Sequence, residues 1–256
     1  MVYLNFIALG AIFYREVQRT RQVILQTIIS PTLSTFLYFI VFGATVGTSL
    51  SMKNSLEYGQ YIVPGLIMMA LVTNALSASS SGIYFPRFSG TIIDMLTTPI
   101  TYKEIILGFA LGGTVRALFI GFLIYFSALF FVDISVIHPF LALFFSFLSA
   151  FIFSLLGVLV GIWAKNFEQL SLFPLLIVMP LSFTGGIFYS IEMLPSYWQK
   201  ILLFNPLYYM IDGLRFSMFG IATTDPYLSS FVMIGLIAAL WQILAHLFSK
   251  GYGMKV

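Results

Sequence analysis

The 256-residue chain contains no cysteine, so disulfides, thiolate metal sites and cysteine nucleophiles are excluded at once. Charge is almost as scarce: 8% of residues are Asp, Glu, Lys or Arg, where a soluble domain carries about a quarter. Hydrophobic residues make up 60% and the mean hydropathy is +1.01. A water-soluble fold would have too little polar surface to wear. Twelve basic and nine acidic residues leave a formal charge of +3, too sparse for the basic stripe that grips nucleic acid. A phosphate-cradling G-x-x-x-x-G-K-[ST] loop is also missing, so the chain cannot hydrolyse ATP unaided.

What is present is a set of long uncharged runs: Gln22 to Met52, Tyr58 to Pro86, Ile105 to Val132, Ile134 to Ala164, Gln169 to Ile191 and Pro226 to Ser249, broken only by Arg116. Each matches or exceeds the roughly 20 helical residues that cross a hydrocarbon layer of about 30 Å. Membrane β-strands alternate apolar and polar side chains, and Phe144 to Val160 does not. The expected fold class is therefore all-α integral membrane. One domain, 1–256, is expected, with spans at about 27–48, 61–83, 112–132, 139–163, 169–188 and 228–248. No internal repeat or linker divides it.

Lys and Arg set the expected orientation. Arg15, Arg19, Arg21, Arg87, Lys103, Lys165, Lys250 and Lys255 fall on one side, and Lys53, Lys200 and Arg215 on the other. The positive-inside rule places both termini in the cytoplasm. Residues 3–22 read as an interfacial helix with Leu4, Ile7, Ala8 and Ala11 on its apolar face. Val2 to Tyr14 is too short to span, and its basic residues follow the apolar run, which argues against a cleaved signal peptide.

Two loops stand out. Residues 87–104 combine Ile92, Ile93, Met95 and Leu96 with Thr91 and Asp94, then stop at Thr97, Thr98 and Pro99. Pro99 disfavours helical geometry at Thr98, so a short amphipathic helix, a break and a new helix through Lys103 and Glu104 are expected. A tight interfacial turn and a partner-docking element both fit. In the fifth span, Pro174 and Pro180 predict a kink. Gly185 and Gly186 follow, then Leu194-Pro195, the shared face of Trp198, Ile201 and Leu202, and Asn205-Pro206. Residues 189–206 read as an external helical hairpin dipping into the membrane, where non-helical backbone must be shielded by protein or line a wet cavity.

Arg116 is the one charge inside an expected span, close enough to its end to snorkel to the headgroups. So few ionisable groups near the midplane argue against an ion-coupled carrier. His138 and His246 stand apart from any carboxylate in sequence, so no catalytic or metal-binding residues are assigned. Gly157 and Gly161, like Gly108 and Gly112, form G-x-x-x-G pairs that predict close helix packing.

The run Gly90-Thr91, Asp94-Met95-Leu96-Thr97-Thr98-Pro99-Ile100, Glu104-Ile105 and Gly108 resembles the cytoplasmic loop of ABC-2 family permeases, the membrane subunits of a class of ATP-binding-cassette exporters. Leu181 to Phe188, Met193-Leu194-Pro195, Asn205-Pro206-Leu207-Tyr208 and Asp212-Gly213-Leu214-Arg215 are similar to that family's signature before its last span. The resemblance covers essentially the whole chain. It implies a permease subunit in a bacterial inner membrane, paired as a homodimer and driven by two copies of a cytosolic ATPase that uses ATP and Mg; the chain itself binds no cofactor. It also implies a coupling role for Arg87, Thr91, Asp94, Met95, Leu96 and Glu104, and an external hairpin signature of Gly185, Gly186, Pro195, Asn205 and Pro206. Phe88-Ser89 stands where the family often places an acidic residue, so part of the electrostatic docking is either missing or carried by Asp94, which bears on the strength of the ATPase contact rather than its existence. Lipids, saccharides and amphiphilic drugs all remain open as substrates, and no substrate-binding residue is assigned. An ion-coupled carrier or channel is the alternative reading, and a membrane scaffold the third.

Overall fold

The computed structural model describes residues 5–22 and 58–252, with single positions at 29, 33–34, 36–38 and 40–41 between them. Most of the expected first span, 27–48, lies outside the described residues. Among those residues the helices are α1 (Phe6–Gln22), α2 (Tyr58–Phe88), α3 (Ile92–Leu96), α4 (Tyr102–Ala128), α5 (Pro139–Trp163), α6 (Phe167–Phe173), α7 (Met179–Thr184), α8 (Ser196–Leu202), α9 (Pro206–Phe219) and α10 (Pro226–Ser249), and no strand occurs. Among the described residues five helical runs are long and apolar enough to cross a membrane: α2, α4, α5, the continuous run Phe167–Thr184, and α10.

The sequence marks these boundaries locally. Pro139, Pro206 and Pro226 each occupy a first turn, where a missing N–H costs nothing. Asp225 caps α10 by accepting from Tyr227 N at 2.9 Å, and Asn166 caps α6 by accepting from Gln169 N at 2.8 Å. The helix of the third expected span begins at Tyr102, well before 112, and so carries Glu104 in its first turn. Between Pro174 and Pro180 the ladder relaxes into a π-helical turn, Pro174–Val178. Each proline removes a donor that an α-helical ladder needs, and the wider turn is how this helix absorbs the loss.

α2 is the central helix, with Ile62, Met68, Leu71, Leu76 and Ile83 fully buried against α4, α5 and α9. Lipid is as apolar as leucine, so burial alone does not drive these contacts; close backbone approach does. A methyl group on Gly157 would sit 2.5 Å from Leu76 O, and one on Gly161 2.5 Å from Ser80 O. The α5 glycines therefore receive α2 within the same subunit. Gly113 of α4 faces the hydroxyls of Ser79 and Ser154, which brings α2, α4 and α5 together at one small-residue junction. The runs Phe167–Thr184 and Pro226–Ser249 are mostly unburied, with Leu172, Leu175, Leu176, Met179, Phe231 and Ile234 turned outward.

Candidate functional site

The end of the bundle that carries α3 is built around one reversal of the chain. Ser89 N donates to Phe85 O at 2.9 Å, Gly90 takes a left-handed φ of 77°, and Ile93 N returns to Gly90 O at 3.1 Å. Ile92 is fully buried and anchors the short helix, with Met95 partly buried against the same apolar cluster. Thr91, Ile93, Asp94, Thr97, Thr98 and Pro99 face outward. The break after Leu96 is closed by two hydroxyls: Thr97 Oγ1 donates to Asp94 O at 3.1 Å and Thr98 Oγ1 to Met95 O at 2.6 Å.

The residues grouped by the sequence reading divide here into two kinds. Thr91, Asp94 and Met95 sit on α3 or at its start, Leu96 is its last residue, and the Thr91 hydroxyl lies 3.0 Å from that of Ser89. Arg87 turns inward: its Nη1 donates to Gly161 O at 3.0 Å and to Ile162 O, closing the last carbonyls of α5 where a cation also suits the helix dipole. Glu104 is 0% exposed. One carboxylate oxygen accepts from Thr101 N at 2.7 Å, in the manner of a capping box, and the other accepts from Asn5 N at the head of α1.

α1 packs on the bundle along a line that shares Ala8 with the apolar face expected from its sequence. Ala8, Ile12 and Glu16, one turn apart, are the buried line, while Ile7 is 85% exposed. The cause lies in α4, where Gly108 and Gly112 open notches that Ile12 and the Glu16 stem fill. Glu16 Oε2 pairs with Arg19 Nη2 at 2.8 Å, and the same nitrogen donates to Ala78 O of α2 at 2.7 Å. Burial pushes the Glu16 carboxyl above its ordinary range, an effect opposed by Arg19, Arg15 and Arg116. Burial likewise lowers the Arg19 guanidinium, with Glu16 opposing. Arg116, expected to snorkel, is partly buried one turn beyond Gly112 and within electrostatic range of Glu16.

At the other end, helix extends past the expected hairpin limit of 206, because α9 continues to Phe219. Gly185 ends α7, and Gly186 turns left-handed with φ 75°. Pro195 precedes α8, on which Leu202 is buried while Trp198 and Ile201 are exposed. Asn205 ties the segment together: its Oδ1 accepts from Leu207 N at 2.9 Å, and its Nδ2 donates to Leu181 O at 2.7 Å and to Thr184 Oγ1 at 2.9 Å. Pro206 then opens α9.

Sequence reasoning missed the polar hub of this end. Arg215, 4% exposed, donates to Gly186 O at 3.0 Å, lies 3.9 Å from Asp212 and stacks on Tyr61. Asp212 accepts from Thr223 N at 3.0 Å, Thr224 N at 2.8 Å and Thr224 Oγ1 at 2.7 Å, which fixes the link into α10. Tyr58 and Tyr61 donate to the carbonyls of Phe188 and Tyr189. The i,i+3 spacing of Asp212 and Arg215 was the available signal. Between α2, α4, α5 and α9 lies an apolar cavity of about 350 Å³, lined by Ile67, Leu71, Phe122, Leu143 and Met218 among others. No group of three His, Asp or Glu residues suited to a metal ion occurs among the described residues.

The model of the ABC-2 type transporter family matches residues 7–219, from α1 through α9. The chain is 36% identical over 256 residues to the inner membrane transport permease YadH of Escherichia coli strain K12, covering all of both chains. It is 25% identical over 225 residues to nodulation protein J of Rhizobium leguminosarum bv. viciae, 82% of each chain. It is also 27% identical over 201 residues to the putative transport permease ycf38 of Cyanophora paradoxa, 74% of this chain and 67% of that one.

Proposed function

The chain belongs to the ABC-2 type transporter family, and from that premise we propose that it is the membrane subunit of an ATP-driven exporter whose α3 loop receives the stroke of a separate ATPase. The family makes it a multi-pass inner-membrane transport permease that partners an ATP-binding subunit. Two copies of this chain and two ATPases, with ATP and Mg held by the ATPases, form the proposed machine. Six spans are proposed, the first over 27–48, with both termini and α3 on the cytoplasmic side and residues 189–206 as the external hairpin.

The observation that carries this reading is the construction of α3. Ile92 roots it in the core between the two longest helices, and Ile93, Asp94 and Thr97 are turned outward. A short helix so rooted passes a push on its outer face into α2 and α4, because packed interiors transmit displacement rather than absorb it. Asp94 and Met95 are the proposed contacts, with Thr91 and Leu96 flanking them. Arg87 and Glu104 support the loop from within. The proposed substrate is of the lipid, saccharide or amphiphilic drug class.

Because the natural chain has no cysteine, single introduced thiols test the arrangement cleanly. In intact cells an impermeant maleimide is expected to label Tyr197→Cys at once and Ile93→Cys only after lysis. Gentle purification should bring down an ATPase, and Asp94→Ala with Met95→Ala should weaken that association while the permease stays folded. Labelling of Ile93→Cys from outside, or an ATPase association indifferent to the double substitution, overturns the reading.

A further inference from the structure

We propose that Glu16 and Arg19 are positioning residues of the transport cycle: they clasp α1 to α2 and α4, so that α1 moves as one body with the α3 loop. The proposal rests on the reading of α3 as the ATPase-facing element and extends it to a helix outside that loop.

α1 is held at both ends by groups that an interfacial helix does not require. At its head, Asn5 N donates to the Glu104 carboxylate, which also accepts from Thr101 N, so the first turn of α1 is bonded to the residue that closes the α3 loop. Asn5 Oδ1 accepts from Ile7 N at 3.1 Å and Ala8 N at 3.3 Å, making the same residue the cap of α1. At its other end, Arg19 Nη2 bridges Glu16 Oε2 and the Ala78 carbonyl of α2.

The seat is specific. Methyl groups on Gly108 and Gly112 would meet Ile12 and the Glu16 Cβ, each at 2.6 Å, and one on Gly82 of α2 would meet Glu16 Oε2 at 2.9 Å. Three glycines on two helices thus leave room for one aliphatic and one acidic side chain of α1. An apolar residue at position 16 would fill such a seat at lower cost, because a buried ion pair sacrifices hydration that its own attraction barely restores. What an ion pair supplies is register: the carboxylate is tolerable only where Arg19 reaches both it and Ala78 O. The charged groups around Glu16 are Arg15 and Arg19 on α1 and Arg116 on α4, while α2 brings Gly82 and the Ala78 carbonyl.

The test uses spin labels on the complex with its ATPase in lipid nanodiscs. Labels at Ala11→Cys and Phe88→Cys, both exposed positions, report the seat of α1 on α2 without nucleotide. A narrow distance distribution is expected for the parent and for Arg19→Lys at both pH 5.5 and pH 8. Arg19→Gln should be broad at pH 8, where the orphaned carboxylate is expelled, and narrower at pH 5.5, because burial already pushes the Glu16 carboxyl upward and acid favours its neutral form. A distribution for Arg19→Gln that stays narrow at both pH values overturns the clasp, and so does broadening in Arg19→Lys.

Labels at Ala11→Cys and Ile93→Cys test the transmission. Their separation should not change with ATP and vanadate, while the separation between Ile93→Cys and Tyr197→Cys does. A nucleotide-dependent change between positions 11 and 93 overturns the one-body motion. No change between 93 and 197 overturns the ATP-driven reading itself, and the nucleotide-free seat measurement still decides the ion pair independently.

Discussion

The guanidinium carbon of Arg215 lies 3.9 Å from the centroid of the Tyr61 ring, so the first turn of α2 and the middle of α9 are joined through one buried cation. The same side chain reaches Gly186 O and Asp212. Arg215→Gln is therefore expected to take the cation from Asp212, which keeps its bonds from Thr223 and Thr224, and to release Gly186 and the Tyr61 ring, at about 2–3 kcal/mol. Arg215→Lys should recover only part of this loss, because an ammonium lacks the planar fork that serves three partners at once. Thermal unfolding in nanodiscs would show the order parent, Lys, Gln; a lysine variant equal to the parent would contradict it.

Gly161 and Gly235 make a matched pair of helical glycines in opposite environments. Alanine at 161 would press on Ile83 and the Ser80 carbonyl, whereas alanine at 235 meets nothing within 4 Å. Gly161→Ala should destabilise by about 1–3 kcal/mol through overpacking. Gly235→Ala should be neutral, or stabilising by up to about 1 kcal/mol, from reduced unfolded-chain freedom. Equal effects on unfolding temperature would refute the described seam between α2 and α5.

Arg87 and Asp94 flank the same loop but answer to different measurements. Loss of the Arg87 bonds to Gly161 O and Ile162 O frays the end of α5, and Arg87→Gln should cost the isolated permease about 1–2 kcal/mol. Asp94→Asn removes an exposed charge and should leave the isolated permease within about 0.5 kcal/mol of the parent. Any weakening of ATPase association by Asp94→Asn would then be read without a folding correction.

Asn205 makes one accepted and two donated hydrogen bonds at the junction of α7, α8 and α9. Asn205→Ala is expected to lose the cap of α9 at about 1–2 kcal/mol. Amide exchange should accelerate first at Leu207 and Tyr208, ahead of the rest of α9. Uniform protection across α9 in the variant would show that the cap is not what orders it.

Long apolar runs made the membrane helices legible, since a run uncharged for more than twenty residues has few fates other than a span or a core. Pro139, Pro206 and Pro226 marked helix starts, and Thr98-Pro99 marked the break after α3. The partners of buried charges were not legible. Glu16 reads as a polar residue on an amphipathic helix until Gly82, Gly108 and Gly112, far away in sequence, are seen to form its seat. Glu104 and Arg87 read equally well as surface contacts and as internal caps, because their bonds run to backbone atoms of Asn5, Gly161 and Ile162, which no side-chain pattern announces. Arg215 was counted as an external charge, and only the close approach of α2 turns it into an interior one.

The π-helical turn at Pro174–Val178 has a consequence for chain length. It stores one surplus residue in a helix whose outward side chains, such as Leu175 and Leu176, are free to vary in kind. Removing a single residue there would let the turn close back to α-helix and leave Gly186 on its bond to Arg215, whereas removing one from Met179–Thr184 would rotate all that follows by about 100°. The turn is therefore the one place in this helix where loss of a residue should be absorbed locally.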